Sequence, residues 1–123
     1  MKLHQDAAGA LNTVTAYGPG WLEINRQRHE AAVLLTPAGP VRPWPVASFD
    51  ALTPDDFGSL LADRPELVLL GTGSVQRFPH PRLLSALSAA RIGVDAMSTP
   101  AACRTYNILL AEGRRVIAAL LPA

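Results

Sequence analysis

Leu67-Val-Leu-Leu70 is a run of four aliphatic residues closed off by Pro65 on one side and by Gly71-Thr-Gly-Ser74 on the other. It is too short for a buried helix, and its lack of polar alternation leaves neither face to water. We therefore expect a strand at the centre of a sheet, covered on both sides. The covering layers follow in order. Pro81 opens a helix with Leu83, Leu84, Leu87 and Ala90 on one apolar stripe, and Ile92 to Met97 reads as the next strand. Thr99-Pro100 is a cap-plus-proline start for a helix that buries Ala102, Tyr106, Leu109 and Leu110, and Gly113 stops it before a last apolar strand. Strand, helix, strand, helix, strand implies right-handed crossovers, with helices on both sheet faces.

The first half adds β structure. Leu11 to Tyr17 and Trp21 to Asn25 flank Gly18-Pro-Gly20 as an N-terminal β hairpin, and Ala31 to Leu35 reads as an inner strand. The prolines of Val41 to Val46 confine that segment to an edge or an irregular path. Thr53-Pro54-Asp55-Asp56 starts a short helix with Phe57, Leu60 and Leu61 on one face, ended by Arg64-Pro65. The expected fold class is α/β: a central mixed sheet with helices on both faces plus the hairpin, in a single domain over residues 1–123.

Charge and cysteine usage narrow the function classes. Eleven basic and ten acidic residues leave a net charge of +1, and residues 62–123 carry only +3, which disfavours nucleic-acid binding. No apolar run approaches the roughly 20 residues of a membrane span, so direct membrane insertion is not expected. The single Cys103 excludes an internal disulfide, and Met1 to Asp6 lacks the apolar stretch of a signal peptide. A reducing cytoplasm fits.

Gly71-Thr-Gly73, Ile92-Gly-Val94, Thr99, Ala102, Thr105-Tyr-Asn107 and Glu112-Gly-Arg114, with Pro43-Trp44 and Leu52 to Phe57 upstream, make the chain similar to a known family. It resembles the family of complex I (NADH:quinone oxidoreductase) assembly factor three and its bacterial relatives, the small Mth-type α/β domain long classed as of unknown function. The resemblance covers residues 30–121 and is most specific between Thr105 and Arg114. It implies a mixed sheet with helices on its faces, a bacterial-type single domain, an assembly role among the mitochondrial members and no established catalytic residue.

Two surfaces qualify as candidate sites. In an open α/β sheet the crevice lies beyond the carboxyl ends of the parallel strands. There, Gly71, Thr72, Gly73, Ser74 and Arg77 leave one strand while Asp95, Ser98 and Thr99 end the next and begin a helix. Arg77 and free N–H groups at that helix start would hold a carboxylate or phosphate. The competing reading is a strand-exit turn in which Asp95 and Thr99 only cap local backbone. A dinucleotide fingerprint is not supported, because Gln76 stands where its third glycine would fall. Ser74 lacks the second glycine of a nucleophile elbow, and Cys103 reads as a small core thiol. His4, His29 and His80 show no ligand spacing, so no metal and no cofactor are expected, and His80 reads as a cap for the helix opened by Pro81. Asn107 reads as a structural bond to a neighbouring loop.

The second surface is Arg42, Trp44 and Phe78, an aromatic and arginine set suited to a protein contact. Trp44 lies between two prolines, either exposed or a lid on the core. Trp44→Ala is expected to weaken partner capture while barely changing stability; a large loss of stability would mean that the ring is core. The leading functional reading is a non-catalytic interaction module, an accessory or assembly factor for a respiratory or membrane-protein complex. The alternatives are a small-anion or small-molecule binder or enzyme using the crevice, and a homodimer through an edge strand.

Overall fold

The computed structural model describes residues 10–123; His4 and the stretch from Met1 to Asp6 lie outside it. Three short strands come first, β1 (Val14–Gly18), β2 (Trp21–Ile24) and β3 (Gln27–His29), and they form an antiparallel sheet of their own. The hairpin expected from the sequence is β1 and β2, whose turn places Gly20 at φ +79, as the third position of a Pro-Gly type II turn demands. β3 is an addition to that reading. Gln27-Arg-His29 carries no apolar alternation, and its register comes instead from Asn25 and Arg26, both at positive φ in a two-residue turn.

The larger sheet comprises β4 (Val33–Leu35), β5 (Arg42–Pro43), β6 (Leu67–Gly71), β7 (Gly93–Met97) and β8 (Val116–Leu120), in the order β5-β4-β8-β6-β7. β6 runs parallel to both neighbours, whereas β4 is antiparallel to β8 and to β5, so the sheet is mixed as expected. β6 is hydrogen-bonded on both sides, but the geometric centre is β8, all five of whose residues are buried. β5, next to Pro45, is a two-residue edge, as its missing donors require.

Alternation along the strands assigns each residue to one of two cores. Val68, Leu70, Ile117 and Ala119 face a layer formed by α1 (Pro54–Gly58), the 3-10 turns around it and α2 (Ser85–Ala89). Leu69, Ala118 and Leu120 face α3 (Thr99–Ala111) and, beyond its flank, Val14, Leu22 and Ile24 of the small sheet. Helices thus cover both faces. β7 lies on one side of β6 and β8 on the other, so the chain reverses its winding direction after β7, and α2 and α3 fall on opposite faces.

Local chemistry sets the helix ends. The Asp56 carboxylate accepts from the Thr53 backbone N–H (2.8 Å) and hydroxyl (3.0 Å), closing the first turn of α1. His80 Nδ1 accepts from the Arg82 N–H (3.1 Å), and Pro81 to Leu84 winds as a 3-10 turn before α2. That tighter turn alters the expected stripe: Leu87 is fully buried, Leu83 and Leu84 partly, and Ala90 sits exposed at the C-cap. Ser98, not Thr99, caps α3 by accepting from the Ala101 N–H, which leaves Thr99 inside the first turn and fully buried.

Candidate functional site

A cavity of about 400 Å³ lies at the carboxyl ends of β6 and β8, lined by Phe49, Thr72, Gly73, Ser74, Arg77 and Pro122 among others. Next to it α3 makes a close crossing over β6. A Cβ on Gly71 would stand 2.9 Å from Leu120 Cδ2 and 3.2 Å from Thr99 Cα, so glycine is needed there for the approach of the helix and not for a special φ. Gly73 does require its freedom, at φ +103. Thr99 locks the crossing: its hydroxyl donates to Leu121 O (2.6 Å) and accepts from the Gly73 N–H (2.9 Å), while its own N–H donates to Gly73 O (2.8 Å).

The donors required by an anion site are therefore engaged within the fold. At the start of α3 the Thr99 N–H reaches Gly73 O, Pro100 has none and the Ala101 N–H reaches Ser98 Oγ. The N–H groups expected to be free are consumed by Gly73 of the strand-exit loop and by the Ser98 cap. Thr72 is spent likewise, its N–H donated to Met97 O (2.9 Å) and its hydroxyl donated to Val75 O (2.7 Å) and accepting from the Arg77 N–H (3.2 Å). The Arg77 guanidinium turns to Asp50 Oδ1 (2.8 Å) and stacks 4.1 Å above the Phe49 ring centroid. Gly73, Ser74 and Arg77 line the cavity, whereas Asp95, Ser98 and Thr99 do not: Asp95 is exposed on β7, and the other two belong to the helix start.

The contact set also divides. Trp44 is only 3% exposed, packs edge-to-face on Phe57 at 6.0 Å and donates Nε1–H to Asp56 O (3.4 Å), so its ring is a core lid. This corrects its assignment to a contact surface. The prolines on either side keep its backbone out of regular pairing, but the ring points inward to close the space above α1. Arg42 pairs with Asp63 at 2.8 Å on a half-exposed edge. Phe78 is 77% exposed, and Val75, which the sequence reading did not single out, is 66% exposed in the same loop. The available signal for Val75 was an apolar residue between Ser74 and Gln76, in a segment with no periodic partner.

Inside the molecule, Tyr106 and Asn107 join the two sheets. Tyr106 donates its buried hydroxyl to Asn12 O (2.8 Å), and burial raises its pKa. The Asn107 amide meets both backbone groups of Val14, accepting from N–H at 3.1 Å and donating to C=O at 2.9 Å. Asn12, buried and absent from the sequence reading, donates Nδ2–H to Thr36 O and Gly39 O and accepts from Asn25 Nδ2. Cys103 is buried against this layer, and desolvation pushes its thiol up to about 12 against the weaker opposing pull of Arg104. A thiol held neutral in this way is chemically quiet. No three His, Cys, Asp or Glu side chains among the described residues are placed to share a metal ion.

Residues 14–121 match a family described as "protein of unknown function (DUF498/DUF598)". The human NADH dehydrogenase (ubiquinone) 1 alpha subcomplex assembly factor 3 is 35% identical over 98% of the chain. The chain spans 65% of that relative's length and 44% of its mouse counterpart's. Among solved structures, a crystal structure of a Bordetella parapertussis protein is 48% identical with a TM-score of 0.88, covering 94% of this chain and 99% of its own. A solution structure of a Bordetella pertussis protein described as a Mth938-like domain is 43% identical with a TM-score of 0.81, covering 99% and 92%.

Proposed function

The chain belongs to the DUF498/DUF598 family and has the Mth938-like fold, and from that premise we propose that it is a non-catalytic interaction module acting as a single domain, an accessory or assembly factor for a respiratory complex. The observation that carries this reading is the 35% identity with a protein named as a complex I assembly factor, sustained over 98% of the chain. The working parts are surface groups. Phe78 and Val75 stand exposed in the loop after β6, an aromatic and an aliphatic side chain suited to anchoring a protein contact. No helix among the described residues is long and apolar enough to cross a membrane. The proposal therefore has the module meet its membrane-protein client through protein contacts, from the cytoplasm.

Affinity capture from native cells, with NADH:quinone oxidoreductase subunits identified by mass spectrometry, tests this. Recovery of those subunits by the native protein and their loss with Phe78→Ser is the expected result. Equal recovery by both forms removes Phe78 from the contact, and capture that never yields a subunit of that complex overturns the assignment. The cavity beyond β6 and β8 supports a second reading as a small-molecule site, because it lies outside the carboxyl ends of two adjacent parallel strands. Nucleotides and carboxylates that raise the melting temperature in a concentration-dependent manner would favour it.

A further inference from the structure

β7 is an open edge, hydrogen-bonded to β6 on one side only. Met97 O accepts from the Thr72 N–H across that pairing, so Met97, Asp95 and Gly93 turn their backbone groups inward to β6. In a parallel ladder the alternate residues, Val94 and Ala96, then present N–H and C=O outward. One of these outward groups is occupied: Gln76 Nε2 donates to Ala96 O at 2.9 Å. That bond draws the loop carrying exposed Val75 and Phe78 to the edge of the strand. Val94 and Ala96 pack partly onto the core on the α2 side, and Asp95 projects exposed from the opposite face, where no cation among the described residues pairs with it.

We propose that the β7 edge receives an extended segment of a partner protein in which a basic residue is flanked by apolar ones, added as a sixth strand. This deepens the interaction-module reading and rests on it. Backbone pairing with Val94 and Ala96 provides the attachment, as in other strand-addition complexes. Selectivity comes from alternation: the residue opposite Asp95 shares its face and must be basic, while its two neighbours point to the apolar side and meet Val94, Ala96 and the adjoining loop. A second copy of this chain is the wrong occupant. Two-fold antiparallel pairing that uses the whole of Gly93–Met97 centres on Asp95 and sets two carboxylates face to face about 4.5 Å apart at their Cα atoms. The charge acts as protection against self-pairing and as recognition of an opposite charge. Gln76 closes the edge until the incoming strand's N–H replaces its amide on Ala96 O.

The test uses isotope-labelled protein titrated with two blocked pentapeptides, Thr-Val-Arg-Val-Thr and Thr-Val-Glu-Val-Thr, read by amide shifts. The Arg peptide is expected to move Val94, Ala96 and the Gln76 side-chain amide at millimolar concentration, with the Glu peptide weaker. Asp95→Lys, an exposed substitution that leaves the fold intact, should reverse the order by roughly 2- to 5-fold in affinity. Unmoved β7 amides, shifts confined to other surfaces, or an order that Asp95→Lys leaves unchanged each overturn the proposal. So does concentration-dependent movement of β7 without peptide, accompanied by a dimer in sedimentation, because a second copy would then be the occupant. Peptide binding without capture of respiratory subunits would keep the edge site and reject the assembly role. Capture without peptide binding would do the reverse.

Discussion

Gly71 and Cys103 show how differently two small residues serve one core. Gly71 is small because α3 crosses it, and a methyl group would meet Thr99 Cα, which is backbone and cannot move aside. Gly71→Ala should therefore cost about 1–3 kcal/mol in urea unfolding, as overpacking does. An unchanged midpoint would show that the crossing can open. Cys103 is small because it fills space beside Tyr106, and its behaviour with pH follows from burial. Its folded pKa, about 12, stands above the ordinary 9.0, so the neutral thiol contributes stability that is complete below pH 9 and is lost as the pH rises toward 12. Native protein should react with a disulfide reagent at pH 8 only at the rate of unfolding, and Cys103→Ala should lose less stability than the parent between pH 9 and 11. Prompt labelling of the folded protein would contradict the burial.

At the scale of elements, the joint between α3 and the small sheet rests on two adjacent side chains. Asn107 substitutes for a strand by bonding both backbone groups of Val14, and Tyr106 ties down Asn12, two residues earlier in the chain. Asn107→Ala leaves a half-buried Val14 N–H and C=O without partners, for which we expect a loss of about 1–3 kcal/mol. The Val14 amide should exchange faster with solvent while amides of β6 and β8 stay protected to the global limit. Uniform acceleration would mean that the two sheets unfold as one unit. The sequence disclosed these residues only as a specific string and a polar edge to a helix. Nothing in it discloses that Asn12, 94 residues from Tyr106, would be the acceptor, because hydrogen-bond partners at that separation are chosen by the packed fold. β3 was hidden for a related reason: Gln27-Arg-His-Glu30 is polar throughout and carries no period, and only the turn at Asn25-Arg26 pairs it with β2.

For the whole molecule, the division between the two faces separates stability from recognition. Trp44 seals the α1 side, so Trp44→Ala should cost about 3–5 kcal/mol, whereas Phe78→Ser should stay within about 0.5 kcal/mol of the parent. Comparable losses in the two variants would refute this division. The sequence alone settled the α/β class, the mixed sheet with a helix on each face, the proline-limited edge and most helix starts, because apolar period, proline and capping residues act over a few neighbours. Tertiary structure alone decided which side chains stay available. Arg77 was given to Asp50 and Phe49, the first donors of α3 to Gly73 and to the Ser98 cap, and Trp44 to the core, while Asp95 and Phe78 were left facing water. The physical reason is that a polar or aromatic group binds whatever the fold brings within about 3–4 Å, and that proximity is a property of the packed chain and not of neighbours in sequence.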